Sequence, residues 1–104
     1  MELIELKDAL NFREDTSARQ PLFSTSNLDT ALLLYKPNQT TPDHTHKDLD
    51  EVFYVISGEG TITINDVPHF IKEGDTVFSP RDKKHGFNNT SDKDWVVMQI
   101  KLSV

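Results

Sequence analysis

Two of the four histidines in this 104-residue chain lie one residue apart, in the segment HTHKDLDE from His44 to Glu51. In an extended strand, residues at i and i+2 point to the same side and lie about 7 Å apart. His44 and His46 can therefore converge on one metal ion, and an antiparallel return of the chain would bring the carboxylate of Glu51 beside them. The alternative is an exposed polar loop that binds nothing.

The amino-acid composition limits the metal sites and partners that are possible. The chain has no cysteine, so thiolate ligands and disulfides are excluded and a metal must be bound by His, Asp or Glu. The net charge of -6 argues against nucleic acid as a partner, because phosphate contacts need a basic surface. The longest apolar run, ALLLY at positions 31–35, is far too short to span a membrane. We therefore expect neither nucleic acid nor a membrane as a partner.

The length and the N-terminal residues predict a small cytoplasmic protein with one domain. The first residues, MELIELKDALNF, lack the basic start and the continuous apolar run of a signal peptide. A chain of 104 residues buries a smaller share of its surface than a larger domain does. Association with a second subunit would therefore help to stabilise its thin core.

The spacing of turns predicts an all-β fold. Short runs rich in β-branched and aromatic residues alternate with turn-forming segments such as SGEG (57–60), NDVP (65–68) and KEGD (72–75). Regularly spaced short strands are typical of a β-sandwich or a β-barrel. The one helical candidate, DALNF at positions 8–12, is too short to be stable alone.

The segment EVFYVIS, which begins at Glu51, is apolar on both faces of its predicted strand. Phe53 shares a side with Glu51 and is therefore the one aromatic residue that we can assign to the wall of a pocket, whereas Val52, Tyr54 and Ile56 take the other side. An apolar back face must be covered, either by the N-terminal strands or by a second copy of the chain. We therefore expect a homodimer.

Two longer motifs resemble those of the cupin superfamily. From His44 to Gly58 the chain follows the pattern H-x-H-x4-E-x6-G, and from Gly74 to Asn89 it follows G-x5-P-x-D-x2-H-x3-N, in which the histidine is His85. The order of the motifs and the short segment between them are similar to those of compact microbial members of that superfamily.

Asn38 and Asp82 stand where the cupin motifs usually have glycine. Both residue types adopt the left-handed backbone conformation far more readily than most others. We therefore expect a tight turn at each position in spite of the replaced glycine.

The resemblance implies a small antiparallel β-barrel, or jelly roll, that forms a single domain over residues 1–104. Its motif core is residues 38–89, and the strands within residues 1–36 would cover the barrel or form the dimer interface. The resemblance also implies one mononuclear metal site, with His44, His46, Glu51 and His85 as ligands. Three imidazoles and one carboxylate suit a divalent transition-metal ion, with Fe, Mn, Ni, Co, Cu and Zn all admissible. Because imidazoles bind metal in their neutral form, we expect metal loss below about pH 6.5.

Two classes of function stay open. Cupins include dioxygenases, decarboxylases, isomerases and lyases, and the fold does not choose among them. Open positions on the ion favour an enzyme of the dioxygenase type that acts on a small polar or anionic metabolite, with Glu51 also moving a proton. The second class is a module that binds or senses a small molecule without catalysis and whose metal site is structural or degenerate. It is favoured by the absence of an identifiable general base outside the ligand set and by the little length left over for a lid.

The remaining histidine and the basic loop before His85 have simpler explanations. His69 matches no ligand position, so we expect it to pack on the surface. Arg81, Lys83 and Lys84 are either solvated charges or an attractant for an anionic substrate.

Overall fold

The computed structural model describes residues 1–103 and folds into two antiparallel β-sheets. The first 17 residues form no strand; they contain one 3₁₀ turn, Leu6–Asp8, in place of the helix considered at 8–12. Within residues 1–103, no helix is long and apolar enough to cross a membrane. The nine strands, β1 to β9 in chain order, are Ala18–Ser24, Leu28–Tyr35, Thr40–His44, Leu49–Ser57, Glu59–Ile64, Val67–Lys72, Thr76–Ser79, His85–Asn88 and Trp95–Ser103.

The two sheets have interleaved topology. The five-stranded sheet has the order β1-β2-β9-β4-β7, and the four-stranded sheet has the order β3-β8-β5-β6. Consecutive strands often lie in different sheets, so the chain crosses repeatedly from one layer to the other, as in a jelly roll. The predicted all-β fold, a small antiparallel barrel of the jelly-roll kind, is confirmed.

Alternating residues of the strands fill the space between the sheets. On β9, Trp95 and Val97 point inward and are fully buried, and their register partners on β2 are Tyr35 and Leu33. The rings of Tyr35 and Trp95 are 5.1 Å apart between centroids. The buried members of this inner cluster are Leu33, Tyr35, Phe53, Val55, Ile62, Ile71, Phe87, Trp95 and Val97.

The outer face of the five-stranded sheet is also apolar, as the doubly apolar fourth strand predicted. Val96, which points away from the inner cluster, is buried against Leu32 and Leu34. The N-terminal segment covers this part of the face, because Ala9 is buried in the same cluster and Phe12 packs against it. Residues before β1 therefore shield one part of the sheet from water.

The connection between β3 and β4 differs from the expected hairpin. The two strands belong to different sheets, since β3 pairs with β8 whereas β4 pairs with β7 and β9. The chain changes layers between His44 and Leu49, with Asp48 at a positive φ of 61°. Glu51 therefore faces the histidines across the interior and does not return beside them in one sheet.

Two turns of the motif region have the predicted conformation. Asn38 has φ 71° and Asp82 has φ 66°, so both occupy the left-handed region in which the related motifs place glycine. The backbone N–H of Asp82 donates a hydrogen bond of 2.9 Å to the carbonyl of His46. The turn at Asp82 thereby fixes the backbone of one candidate ligand.

Candidate metal centre

Three histidines meet at one end of the space between the sheets. The possible ligand nitrogens of His44, His46 and His85 all lie within 4.8 Å of one another. His44 at the end of β3 and His85 at the start of β8 are register partners, so their side chains emerge on the same face of the sheet. His46 lies two residues beyond His44, and the centroids of these two rings are 4.7 Å apart. The pairing of β3 with β8 therefore supplies two of the three imidazoles.

A glycine makes this close pairing possible. Gly86 follows His85 on β8, and a Cβ atom at that position would lie 2.9 Å from the carbonyl oxygen of Thr41 and still closer to the side chain of Asp43. A larger residue would push β3 away from β8. The separation of His44 from His85 depends on this close approach.

Glu51 approaches His46 and His85 from the opposite sheet. Its Oε1 lies 3.4 Å from Nε2 of His46 and 3.6 Å from Nε2 of His85. Two atoms that each lie about 2.1 Å from one ion are separated by about 3.0 Å in octahedral and about 3.4 Å in tetrahedral geometry. The spacing of the carboxylate from the two rings is therefore close to that of ligands around a single ion.

A chain of hydrogen bonds sets the orientation of Glu51. Gln99 donates from Nε2 to Oε2 of Glu51 at 3.1 Å, and its Oε1 accepts a hydrogen bond of 2.9 Å from Nε of Arg19. Because a guanidinium can only donate, Gln99 must turn its carbonyl to Arg19 and its amide to Glu51. Arg19 is held in turn by Asp29, 3.1 Å from its Nη2. One oxygen of Glu51 is occupied in this way, and the other is left facing the histidines.

The atoms that face each other inside this cluster lack hydrogen-bond partners. Among the described residues, Oε1 of Glu51 and Nε2 of His85 are buried without one, and their side chains are only 1% and 2% exposed. At 3.6 Å they are also too far apart to bond each other well. Leaving such groups unsatisfied is costly, and a cation between them would satisfy both. The four residues therefore fit a bound metal ion.

Nδ1 of His44 and Nδ1 of His85 each have a hydrogen-bond partner, and the partner of His44 leaves its Nε2 unprotonated. Nδ1 of His44 is 2.9 Å from the carbonyl oxygen of Pro42, which can only accept, so His44 carries its proton there. Nδ1 of His85 is 3.2 Å from Oγ of Ser79. Hydrogen bonds of this kind fix the tautomer and the ring orientation of metal-binding histidines.

Burial favours the neutral form of two imidazoles of this cluster, those of His46 and His85. It lowers the pKa of His46 and of His85 below the ordinary value of 6.5, and in both cases outweighs the opposing attraction of the Glu51 carboxylate. The positive charge of Lys101 lowers the pKa of His46 further. Neutral imidazole is the form that binds metal, so protons compete for these two ligands only at a pH below 6.5.

A cavity of about 250 Å³ opens beside the cluster. His44 and His46 form one side of it, whereas His85 and Glu51 lie deeper and do not line it. A small molecule in the cavity would therefore meet the exposed side of the histidine cluster. The remaining lining residues are Ser17, Ala18, Arg19, Leu33, Thr41, Phe87, Gln99 and Lys101.

The structure brings His44, His46 and His85 together, with Glu51 beside His46 and His85, and places the other candidates elsewhere. Phe53 is fully buried in the inner cluster, where its ring packs 5.5 Å from that of His85; it supports the site from behind and does not line the cavity. Arg81 and Lys84 are paired with Asp50 and Asp66. Neither basic residue lines the cavity.

Arg19, Gln99 and Lys101 are the site residues that the sequence motifs do not reveal. They lie on β1 and β9, outside both motifs, and they reach the site only because β9 pairs with both β2 and β4. The sequence contains one relevant signal. Alternation along WVVMQIKL places Gln99 and Lys101 on the side of buried Trp95, but it does not show which strands lie opposite.

Comparison with known proteins agrees with the fold and with the motifs. The protein SchB of Streptomyces halstedii is 33% identical to this chain over 57 residues, which are 55% of this chain and 41% of that relative. The chain thus matches less than half the length of that relative.

Solved structures show the same fold over almost the whole chain. One from Thermus thermophilus has a TM-score of 0.93 at 23% identity and covers 99% of this chain and 98% of that one. An uncharacterized conserved protein with a double-stranded β-helix domain from Klebsiella pneumoniae has a TM-score of 0.92 at 17% identity, with 99% and 90% covered. A model of the cupin domain family matches residues 31–101, which include both motifs and the histidine cluster. The chain belongs to the cupin domain family.

Proposed function

We propose that this cupin binds one divalent transition-metal ion through His44, His46, His85 and Glu51 and acts on a small polar or anionic metabolite in the adjoining cavity. The observation that carries the proposal is the pair of buried atoms, Oε1 of Glu51 and Nε2 of His85, which face each other without hydrogen-bond partners. When bound, an ion at this position would supply Lewis acidity and orient the metabolite.

The residues of the chain contribute positioning, charge and exclusion of water. Gln99 holds Glu51 so that one carboxylate oxygen faces the histidines. That carboxylate balances part of the charge of the ion, and it is also the group best placed to accept a proton. Leu33 and Phe87 form an apolar wall of the cavity and reduce the water around a bound metabolite.

We propose oxygen-dependent chemistry of the dioxygenase type ahead of isomerase and lyase or decarboxylase chemistry. A set of nitrogen and oxygen ligands suits iron(II) and related ions, and the cavity gives a metabolite access to the same side of the histidine cluster. Glu51 is the proposed catalytic residue, because its unpartnered oxygen lies within the cluster.

The second candidate is a module that binds or senses a small molecule without turnover. Among residues 1–103, no carboxylate lines the cavity, so the wall has no separate carboxylate that could act as a general base. This favours binding without turnover. The two candidates share the metal site and differ only in whether the bound molecule reacts.

Metal analysis with a matched histidine pair tests the proposed site. Protein purified without an affinity tag should contain one equivalent of a transition metal, and His46→Ala should bind it at least about a hundredfold more weakly, since loss of a supporting residue alone costs 10- to 100-fold. His69→Ala is the control, because His69 is exposed on β6 and outside the cluster. Equal metal affinity of the two variants would exclude the proposed ligand set.

Oxygen uptake separates the enzyme from the binding module. The metal-loaded protein is given a panel of small diols, phenols and keto acids. Uptake that depends on one of them and is lost in Glu51→Gln supports the dioxygenase. Binding of a compound that raises the melting temperature without uptake supports the second candidate.

We also propose that two copies of the chain associate through the outer face of the five-stranded sheet. Tyr54, Phe78 and Leu102 are about half exposed on it, and an apolar cavity lined by Ile4, Leu22 and Met98, among others, adjoins this face. Sedimentation at micromolar concentration should show a dimer that Phe78→Asp disrupts and Phe70→Asp, on the other sheet, does not. The cytoplasmic location remains a prediction, which cell fractionation would test.

A further inference from the structure

Lys101 brings a positive charge into the cavity next to the histidine cluster. It lies on β9, where every second residue from Trp95 onward points between the sheets. Its side chain lines the cavity together with His44 and His46.

The two carboxylates beside Lys101 in the sheet are already engaged. Its register partners are Asp29 on β2 and Glu51 on β4. Asp29 is bound by Arg19 at 3.1 Å, and Glu51 is hydrogen-bonded to Gln99 and directed at the histidines. None of the ion pairs formed within residues 1–103 includes Lys101. A partly buried ammonium group in a chain of net charge -6 is thus left without a carboxylate partner.

Arg19, the other cationic residue of the cavity wall, is not free in the same way. Its Nε donates to Gln99 and its Nη2 to Asp29, so the edge of the guanidinium that would grip an anion with two parallel hydrogen bonds is occupied. Its charge is also balanced by Asp29. Lys101 is therefore the one cationic residue of the cavity wall that forms no ion pair within residues 1–103.

We infer that Lys101 binds the carboxylate group of a small metabolite, whose other end faces His44 and His46. The inference deepens the proposed function and rests on it, because it names the class of molecule that the cavity accepts. One ammonium group balances one carboxylate, whereas a phosphate dianion would need the second cation that Asp29 already neutralises.

The size of the cavity limits the rest of the molecule. A volume of about 250 Å³ corresponds to about eight water molecules at roughly 30 Å³ each. That space holds a carboxylate with a short carbon chain and one or two further polar groups. Leu33 and Phe87 supply apolar contact for the chain, and Thr41, whose hydroxyl is hydrogen-bonded to that of Tyr35, also lines the cavity.

A comparison of two lysine variants tests the inference directly. Wild type, Lys101→Gln and Lys72→Gln are loaded with zinc, their metal content is measured, and each is titrated calorimetrically with succinate, succinamide and inorganic phosphate. Lys72 is the control, because it lies on β6 away from the cavity and its replacement changes the net charge equally. We expect succinate to bind wild type and Lys72→Gln at least about tenfold more tightly than Lys101→Gln, which corresponds to about 1.4 kcal/mol. Succinamide and phosphate should bind weakly to all three.

The outcomes separate this inference from the metal hypothesis. If all three proteins bind zinc but Lys101→Gln binds succinate as tightly as wild type, the carboxylate site is wrong and the metal site stands. Equal binding of succinamide, or tighter binding of phosphate, would also overturn the inference. If none binds zinc, the proposed function fails, and the same titrations on the metal-free proteins still decide whether Lys101 holds a carboxylate.

Discussion

The space between the two sheets has a filled end and an open end, and the same strands form both. At the filled end, the rings of Tyr35, Phe87 and Trp95 pack at centroid distances of 5.1 to 5.9 Å. At the open end, the histidine cluster and Glu51 adjoin a cavity of about 250 Å³. Within the described part of the chain, one region is packed by aromatic contact and contains one buried atom without a partner, Nε1 of Trp95, whereas the other contains two such atoms that face each other, Oε1 of Glu51 and Nε2 of His85.

Strand β9 shows how the change from one end to the other is made. Its inward residues are, in order, Trp95, Val97, Gln99 and Lys101. Four successive positions on one face thus run from a fully buried indole to a charged cavity wall. The difference teaches that packing and chemistry are separated along β9, so that its aromatic end stabilises the fold while its charged end borders the cavity. Active sites often show this trade of stability for function.

The largest effect is expected at the filled end, from Trp95→Ala. Removal of this fully buried indole should lower the free energy of unfolding by about 3–5 kcal/mol, because contacts are lost and a cavity remains. Urea unfolding followed by circular dichroism measures the change. Trp95→Phe keeps an aromatic ring and should fold, with metal affinity within about twofold of wild type. A large loss of metal affinity in that variant would mean that the two ends are not independent.

At the open end, Glu51→Gln should raise the stability of the metal-free protein, whereas Trp95→Ala lowers it at the filled end. In the metal-free protein Glu51→Gln replaces a buried carboxylate that has one unpartnered oxygen, and the new amide can donate to Nε2 of His85. We expect the free energy of unfolding to rise by about 1–3 kcal/mol, the cost of an unsatisfied buried group, while metal affinity falls by about a hundredfold and stays measurable.

The matched control for that variant is Glu59→Gln, which removes an exposed carboxylate on β5 and should change stability by no more than about 0.5 kcal/mol. A destabilised metal-free Glu51→Gln protein would show that the open end is packed as favourably as the filled end.

A smaller effect, on metal affinity, is expected from Gln99→Leu, because Gln99 contacts the metal site only through Glu51. Loss of the amide frees Oε2 of Glu51 and leaves Nε of Arg19 without its acceptor. Metal affinity should fall about tenfold, as for other supporting residues of metal ligands. In a double-mutant cycle, Gln99→Leu should have no further effect on metal affinity in the Glu51→Gln background. If the effects of the two substitutions on metal affinity were additive, Gln99 would not act through Glu51.

The sequence by itself determined the local features of this protein. Alternation placed Glu51 and Phe53 on the same face of β4, and the positive φ values of Asn38 and Asp82 follow from residue types that accept them. The family motifs selected His85 together with His44 and His46. These features depend on a residue and its near neighbours, so a linear pattern contains them.

Only the tertiary structure decided which residues surround the histidines. Gln99 reaches Glu51 across 48 positions of the chain, and Arg19 reaches Gln99 across 80. The alternation of β9 is equally compatible with any pair of neighbouring strands, because side-chain parity is local while strand order and register are set by packing of the whole sheet. For the same reason the sequence pattern assigned Phe53 to the pocket, whereas the packed sheets place it beneath His85 and leave Lys101 at the cavity.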